Sequence, residues 1–106
     1  MQEFKGTPGP YTAHVSIAQW YSFENKFFEV ADKDGAIIAF VKDWDGAGDL
    51  PKKDAQLLAA APELLEALQG LVRSYEDFRK RKDKEGSPEA SEIIKARYAI
   101  YKALGK

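Results

Sequence analysis

Cysteine is absent from the 106-residue chain, and His14 is its one histidine. A chain without thiols has no disulfides, no thiol catalysis and no thiolate ligands for zinc or iron–sulfur clusters. A single imidazole also excludes a multi-histidine zinc site. The sequence lacks an apolar run near the roughly 20 residues that cross a bilayer, and it has no signal-peptide pattern at Met1. These absences predict a cytoplasmic protein with no membrane contact, no metal and no cofactor.

The composition fits one small folded domain. Hydrophobic residues make up 44% of the chain and aromatic residues 12%, which argues against disorder. We expect a single domain over residues 1–106, with a β-rich half at 1–50 and a helical half at 51–106. The first half has eight acidic and four basic residues, whereas the second has nine acidic and twelve basic residues. Such a charge dipole favours oriented docking to a charged partner.

Three segments of the first half have the pattern of β-strands. Residues 11–17 alternate between apolar and polar side chains, and residues 26–31 and 36–41 are joined by a glycine-containing turn. Because residues 36–41 are apolar on both faces, we expect this strand to be central in the sheet or covered on both sides. The three strands together predict an antiparallel sheet.

The second half begins with a short helix, predicted over residues 52–61. Its packing face contains Ala55, Leu58 and Ala59. The helix ends where Pro62 removes a backbone hydrogen bond, and proline is favoured in the first turn of the longer helix that follows.

The longer helix and a last helix, which Ser87 and Pro88 are expected to start, each have an apolar stripe. Facing stripes predict an antiparallel helical hairpin. The stripes comprise Leu64, Leu68, Leu71, Val72, Tyr75 and Phe78 in the longer helix, and Ile93, Ala96, Ile100 and Leu104 in the last helix. The predicted fold class is therefore α+β, with a three-stranded antiparallel sheet followed by a short helix and a long antiparallel helical hairpin.

Two segments of the chain resemble those of a known group of proteins. Thr7-Pro-Gly-Pro-Tyr11 is similar to the Thr-Pro-Gly-Pro-Trp opening of small accessory proteins encoded by tailed bacteriophages and prophages. Asp54-Ala-Gln-Leu-Leu-Ala-Ala-Ala-Pro-Glu-Leu-Leu-Glu-Ala-Leu68 resembles their segment Asn-Ala-x-Leu-Ile-Ala-Ala-Ala-Pro-Glu-Leu-Leu-Glu-Ala-Leu, and differs by Asp54 for Asn and Leu58 for Ile. The resemblance implies a phage origin and supplies no catalytic residues. For accessory proteins of this size it implies binding and inhibition of a host protein, including components of antiviral defence.

The loop after the third strand is the first candidate contact surface. It places Trp44 among three acidic residues, Asp43, Asp45 and Asp49. A tryptophan anchor surrounded by acidic groups fits a basic partner protein. Residues 43–54 also follow part of a calcium-loop pattern, but two ligand positions are occupied by residues without side-chain oxygens, so we assign no metal to the loop.

A basic run near the tip of the predicted hairpin is the second candidate. Its cations suit the negative end of a helix dipole and keep the tip solvated. The functional alternative is contact with a phosphate backbone or an acidic protein, although no aromatic residues are interleaved in the run and the net charge of the chain is -1. The run comprises Arg79, Lys80, Arg81, Lys82 and Lys84.

The sequence shows no nucleophile–base pair and no glycine-rich phosphate loop, so we expect a protein that is not an enzyme. His14 would need an orienting carboxylate such as Glu29 for catalysis. The predicted function is binding of a host protein. The alternatives are a nucleic-acid-associated factor that acts through the basic run and a protein that sequesters a small ligand such as a nucleotide signal. Tyr98 and Tyr101 lie beside the main stripe of the last helix, which suggests a homodimer through the C-terminal helices.

Overall fold

The structure, a computed structural model, describes residues 3–17, 26–43, 46–82 and 88–106. The α+β prediction is confirmed. Three strands precede three helices, in the order β1 (Thr12–Ile17), β2 (Lys26–Ala31), β3 (Ile37–Lys42), α1 (Leu50–Ala59), α2 (Ala61–Arg81) and α3 (Ser91–Ala103). The chain divides into two compact units. One is Thr7–Glu63, and the other comprises Leu64–Lys106 with Met1–Gly6.

The three strands form one antiparallel sheet in the order β1-β2-β3. The expectation that the third strand is central or covered on both sides is wrong, since β2 is central and β3 lies at an edge. On β3, Ile38 is 40% exposed and Phe40 is 47% exposed. Phe40 makes an edge-to-face contact with Phe27 of β2, with 5.8 Å between ring centroids. The apolar character of β3 on both faces therefore reflects one face that packs and one that remains exposed.

A polar turn joins β2 to β3. The Oδ1 atom of Asp32 accepts hydrogen bonds from the backbone N–H groups of Asp34 and Ala36, both at 2.9 Å. Gly35 has a φ of +86°, a conformation that glycine adopts without strain. The pairing shifts between Val30 and Ala31, so the sheet contains a β-bulge next to the turn.

Helix α1 packs on the sheet through small side chains. Pro51 is buried and Ala55 is 0% exposed, and both lie on the helix face that contacts the strands. The predicted burial of Ala55 is confirmed, whereas the predicted burial of Leu58 is wrong, because this side chain is 47% exposed. Leu58 lies one turn beyond Ala55 on the same side of the helix and is exposed nonetheless, whereas the buried positions, Pro51 and Ala55, are four residues apart. Their small side chains allow the helix backbone to approach the sheet closely.

Helices α2 and α3 form the predicted antiparallel hairpin, but the predicted facing stripe of α2 is wrong in part, because Leu64, Leu71 and Phe78 are exposed. Val72 of α2 and Ile100 of α3 are each 1% exposed. Two polar contacts join the segments on either side of the connection: Arg79 contacts the carbonyl of Pro88, and Glu76, further from the connection, contacts Arg97. Nested pairs of this kind are the signature of antiparallel chain directions.

The start of α3 differs from the prediction. The helix begins at Ser91, after the extended cap residue Ala90 with φ -60° and ψ 141°, and Pro88 lies outside it. The reason is a competing set of polar contacts in the segment before the helix. The Pro88 carbonyl accepts a hydrogen bond from Arg79 Nη1 at 3.4 Å, and the Glu89 carboxylate lies 2.6 Å from Arg97 Nη1.

Candidate functional site

Residues 46–49 of the loop between β3 and α1 are held in shape by two glycines and one buried alanine. Gly46 and Gly48 have φ angles of +83° and +59°. Between them Ala47 is only 5% exposed, and its carbonyl accepts a hydrogen bond from the N–H of Leu50 at 3.2 Å. The described part of the loop is therefore pinned to the protein at its centre, and its acidic residues flank that point.

The structure places two of the four predicted contact residues of this loop. Asp43 is half-buried and directly follows β3, and Asp49 is exposed and caps α1 without a side-chain hydrogen bond to the helix. Trp44 and Asp45 lie outside the described residues. Asp54, the last position of the partial calcium pattern, lies inside α1. In the part of the chain that the structure describes, no group of three or more carboxylate or imidazole side chains is placed to hold a metal ion.

An exposed apolar surface, which the sequence analysis did not identify, leads into this loop. It consists of Ile37, Ile38 and Phe40 of β3, which are 47%, 40% and 47% exposed. The available signal was the apolar character of β3 on both faces. Because β3 is an edge strand, its outer backbone groups also face away from the sheet. Residues 37–43 and 46–49 thus combine apolar side chains, acidic residues and a strand edge with which no strand of the described residues pairs.

The basic run is divided by the structure into an anchored part and an exposed part. Arg79 Nη1 donates to the Tyr75 hydroxyl at 3.2 Å, and its guanidinium lies 5.8 Å from the centre of the Tyr75 ring. Together with its contact to the Pro88 carbonyl, this gives Arg79 a structural role in the hairpin. The cations that remain exposed at the end of α2 are Lys80, Arg81 and Lys82. Lys84 lies outside the described residues.

Arg97 links three parts of the helical unit. Its Nη2 and Nε atoms lie 3.2 Å from Glu76 Oε1 on α2, and its Nη1 atom lies 2.6 Å from the buried Glu89 Oε2. The hydrogen bond that Arg97 donates to the Glu89 carboxylate raises the pKa of Arg97, desolvation opposes that shift, and Glu76 adds to it. These contacts use the guanidinium fork to hold α3 against α2, so Arg97 is a structural residue.

In the register of β1 and β2, His14 is paired with Glu29. Glu29, the carboxylate that catalysis by His14 would need, is therefore on the residue directly opposite in the sheet. The His14 side chain lies outside the described part of the structure. Over the described residues, no helix is long and apolar enough to cross a membrane.

The two segments that carry the family resemblance meet in the structure. A Cβ atom placed on Gly9 would lie 2.7 Å from Pro62 Cβ, so the turn at Gly9 approaches the first turn of α2 closely. The Tyr11 hydroxyl donates a hydrogen bond to the Thr7 carbonyl at 2.5 Å, which closes the turn on itself. The proline–glycine segment and the alanine–proline segment thus form one packing unit.

The comparisons with known proteins give one family. The model of a family described as Salmonella phage P22 protein Y8K6 matches residues 1–106. Searches of curated proteins and of solved structures gave no match. The match covers the whole sequence and confirms the phage origin that its two segments imply, and the chain belongs to the family of Salmonella phage P22 protein Y8K6.

Proposed function

We propose that this phage protein is a non-catalytic binding protein that acts in the cytoplasm of the bacterial host, where it modulates a host protein such as a component of antiviral defence. The observation that carries the proposal is the exposed apolar surface of β3, Ile37, Ile38 and Phe40, which continues into the acidic loop. Contiguous apolar side chains at the surface of a small protein are typical of an interaction site.

The chemistry of this surface supports a partner with a complementary surface. Phe40 offers an aromatic anchor, and the loop contributes the carboxylates of Asp43 and Asp49 together with Trp44 and Asp45. An apolar centre with an acidic margin is complementary to a partner that presents an apolar pocket bordered by lysine or arginine. Among the described strands none pairs with the outer edge of β3, so an extended segment of the partner can add to the sheet there.

The fixed shape of the described part of the loop, residues 46–49, favours tight binding. Ala47 is buried, and the two glycines with positive φ define the chain path on either side of it. A loop that is already ordered loses less conformational entropy when a partner binds. Asp49 is therefore presented on a prepared scaffold.

The test is a tagged pull-down from host-cell lysate after nuclease treatment. We expect one host protein in near-stoichiometric amount, lost with Trp44→Ala, Phe40→Ala and Asp49→Lys. Tyr98→Ala is the matched control, because this aromatic side chain is 71% exposed on α3 and lies outside the proposed surface. Circular dichroism confirms that each variant is folded. An empty bait, or capture that is unchanged by all three variants, would contradict the proposal.

A second candidate function is nucleic-acid binding, favoured by the exposure of Lys80, Arg81 and Lys82 at one end of α2. Three phosphate contacts predict that the logarithm of the association constant falls with the logarithm of salt concentration with a slope of about -2.7 on duplex DNA. Replacing the three cations by glutamine should abolish such binding. Binding that is insensitive to salt would exclude this function.

A further inference from the structure

Helix α2 has a second apolar stripe that does not face α3. Leu64, Leu71 and Phe78 are 53%, 65% and 45% exposed. Residues seven apart complete nearly two helical turns, so these three side chains form one line along the helix. The face that contacts α3 is identified separately by buried Val72 and by the ion pair of Glu76 with Arg97. Since Leu71 and Val72 are adjacent residues, the two faces differ by about 100°.

The stripe has the spacing of a coiled-coil seam. Half-buried Leu68 and Tyr75 lie between the three exposed side chains, which gives successive intervals of four, three, four and three residues. This is the alternation with which a helix packs against another helix along a seam. A stripe of this length corresponds to two heptads, which is enough for a weak helix pair and too short for a long coiled coil.

The charges along α2 are complementary between two antiparallel copies of the helix. Its first turns contain Glu63 and Glu66, and no basic residue precedes Arg73 in the helix. Its last turn and the residue after it contain Arg79, Lys80, Arg81 and Lys82. Two parallel copies would place the basic ends side by side. Two antiparallel copies place each acidic end beside a basic end, which is electrostatically complementary.

We propose that two copies of the chain associate through this stripe with their α2 helices antiparallel. A two-fold axis at Leu71 places Leu71 against its own copy and Leu64 against Phe78 of the other copy. Glu63 and Arg81 lie on the side of the stripe away from α3, and the same axis brings Glu63 of one copy beside Arg81 of the other. This inference is independent of the host-protein proposal, because it uses no residue of the β3 surface or of the acidic loop.

The first measurement is sedimentation velocity on the purified full chain between about 1 and 500 µM, a range that covers weak protein dimers. We expect a concentration-dependent monomer–dimer equilibrium, abolished by Leu71→Glu because two carboxylates would meet at the axis. Leu71 is largely exposed, so this variant should fold normally. Tyr98→Glu is the control on α3 and should leave the dimer unchanged. A chain that is monomeric throughout, or a dimer lost with Tyr98→Glu but not with Leu71→Glu, would overturn the proposal.

Charge exchange tests the antiparallel direction. Glu63→Arg alone and Arg81→Glu alone should each weaken the dimer by at least about tenfold, because each variant places like charges together. The double variant should restore association, and an equimolar mixture of the two single variants should form a heterodimer. Parallel pairing predicts no restoration in the double variant, and that result would refute the antiparallel arrangement.

Discussion

The contact between Gly9 and Pro62 makes a sharp prediction for Gly9→Ala. The new Cβ atom would lie 2.7 Å from Pro62 Cβ and 3.0 Å from Pro62 Cγ. Carbon atoms in contact normally lie about 3.5–4.0 Å apart, so the closer pair is too near by about 0.8 Å. The φ of Gly9 is not in the left-handed region, so the backbone itself accepts alanine. The effect of the substitution therefore reports on the packing against Pro62.

The magnitude follows from two opposing effects. Overpacking of a tight contact costs about 1–3 kcal/mol, and alanine restricts the unfolded chain enough to return about 0.4–1 kcal/mol. We expect Gly9→Ala to lower the free energy of unfolding by about 1–2 kcal/mol, which lowers the Tm of a domain of this size by about 4–16 °C. Urea unfolding followed by circular dichroism measures the change.

A double-mutant cycle isolates the clash. Pro62→Gly removes both carbon atoms that the new side chain would meet, so in that background Gly9→Ala should be neutral or stabilising by up to about 1 kcal/mol. Pro62→Ala keeps the Cβ atom at 2.7 Å, so in that background the penalty should remain. An equal penalty in the wild-type and Pro62→Gly backgrounds would refute the packing explanation.

Three further substitutions test the described contacts by urea unfolding. Arg97→Gln should lower the free energy of unfolding by about 1–2 kcal/mol, because two partly exposed carboxylates lose their shared cation. Arg97→Lys keeps the charge but not the two-pronged guanidinium, so its stability should lie between those of the wild type and Arg97→Gln. Ile100→Ala should cost about 2–5 kcal/mol through the cavity it leaves, whereas Ile94→Ala, at a side chain 45% exposed, should stay within about 0.5 kcal/mol. Asp32→Ala should cost about 1–2 kcal/mol with the loss of two turn hydrogen bonds, and Asp32→Asn, which keeps the Oδ1 acceptor, should cost less. Equal effects within any of these pairs would contradict the assigned contact.

The local signals of the sequence predicted the secondary-structure elements well. Alternation identified β1, the Asp32–Gly35 turn identified the hairpin of β2 and β3, and Pro62 identified the break between α1 and α2. These features succeed because each depends on backbone geometry within a few residues. The prediction of where α3 starts was wrong because that start depends on contacts with distant residues. Contacts of Arg79 with Pro88 and of Arg97 with Glu89 come from other elements, and the sequence of the cap does not reveal them.

Burial was harder to predict than helix or strand. Periodicity shows that Leu64, Leu71 and Phe78 share a line with other apolar residues of α2, but it does not show which part of a broad stripe meets α3. The same ambiguity affected β3, where apolar side chains on both faces were expected to indicate a central strand. The exposed apolar residues of α2 form the proposed dimer surface, and those of β3 form the proposed surface for a host protein. Acidic residues of the loop were predictable as a candidate site, whereas the neighbouring surface of β3 was not.

The small side chains under α1 have a consequence for mutational tolerance. Pro51 and Ala55 are buried against the sheet, whereas Leu57 and Leu58, on the next turn, are 64% and 47% exposed. The positions of α1 with small residues therefore cannot accept larger side chains, whereas the positions with leucine can accept side chains of many sizes. A saturation library should accept many residues at 57 and 58 and few at 51 and 55, so the leucines that dominate the sequence pattern of α1 are its most replaceable positions.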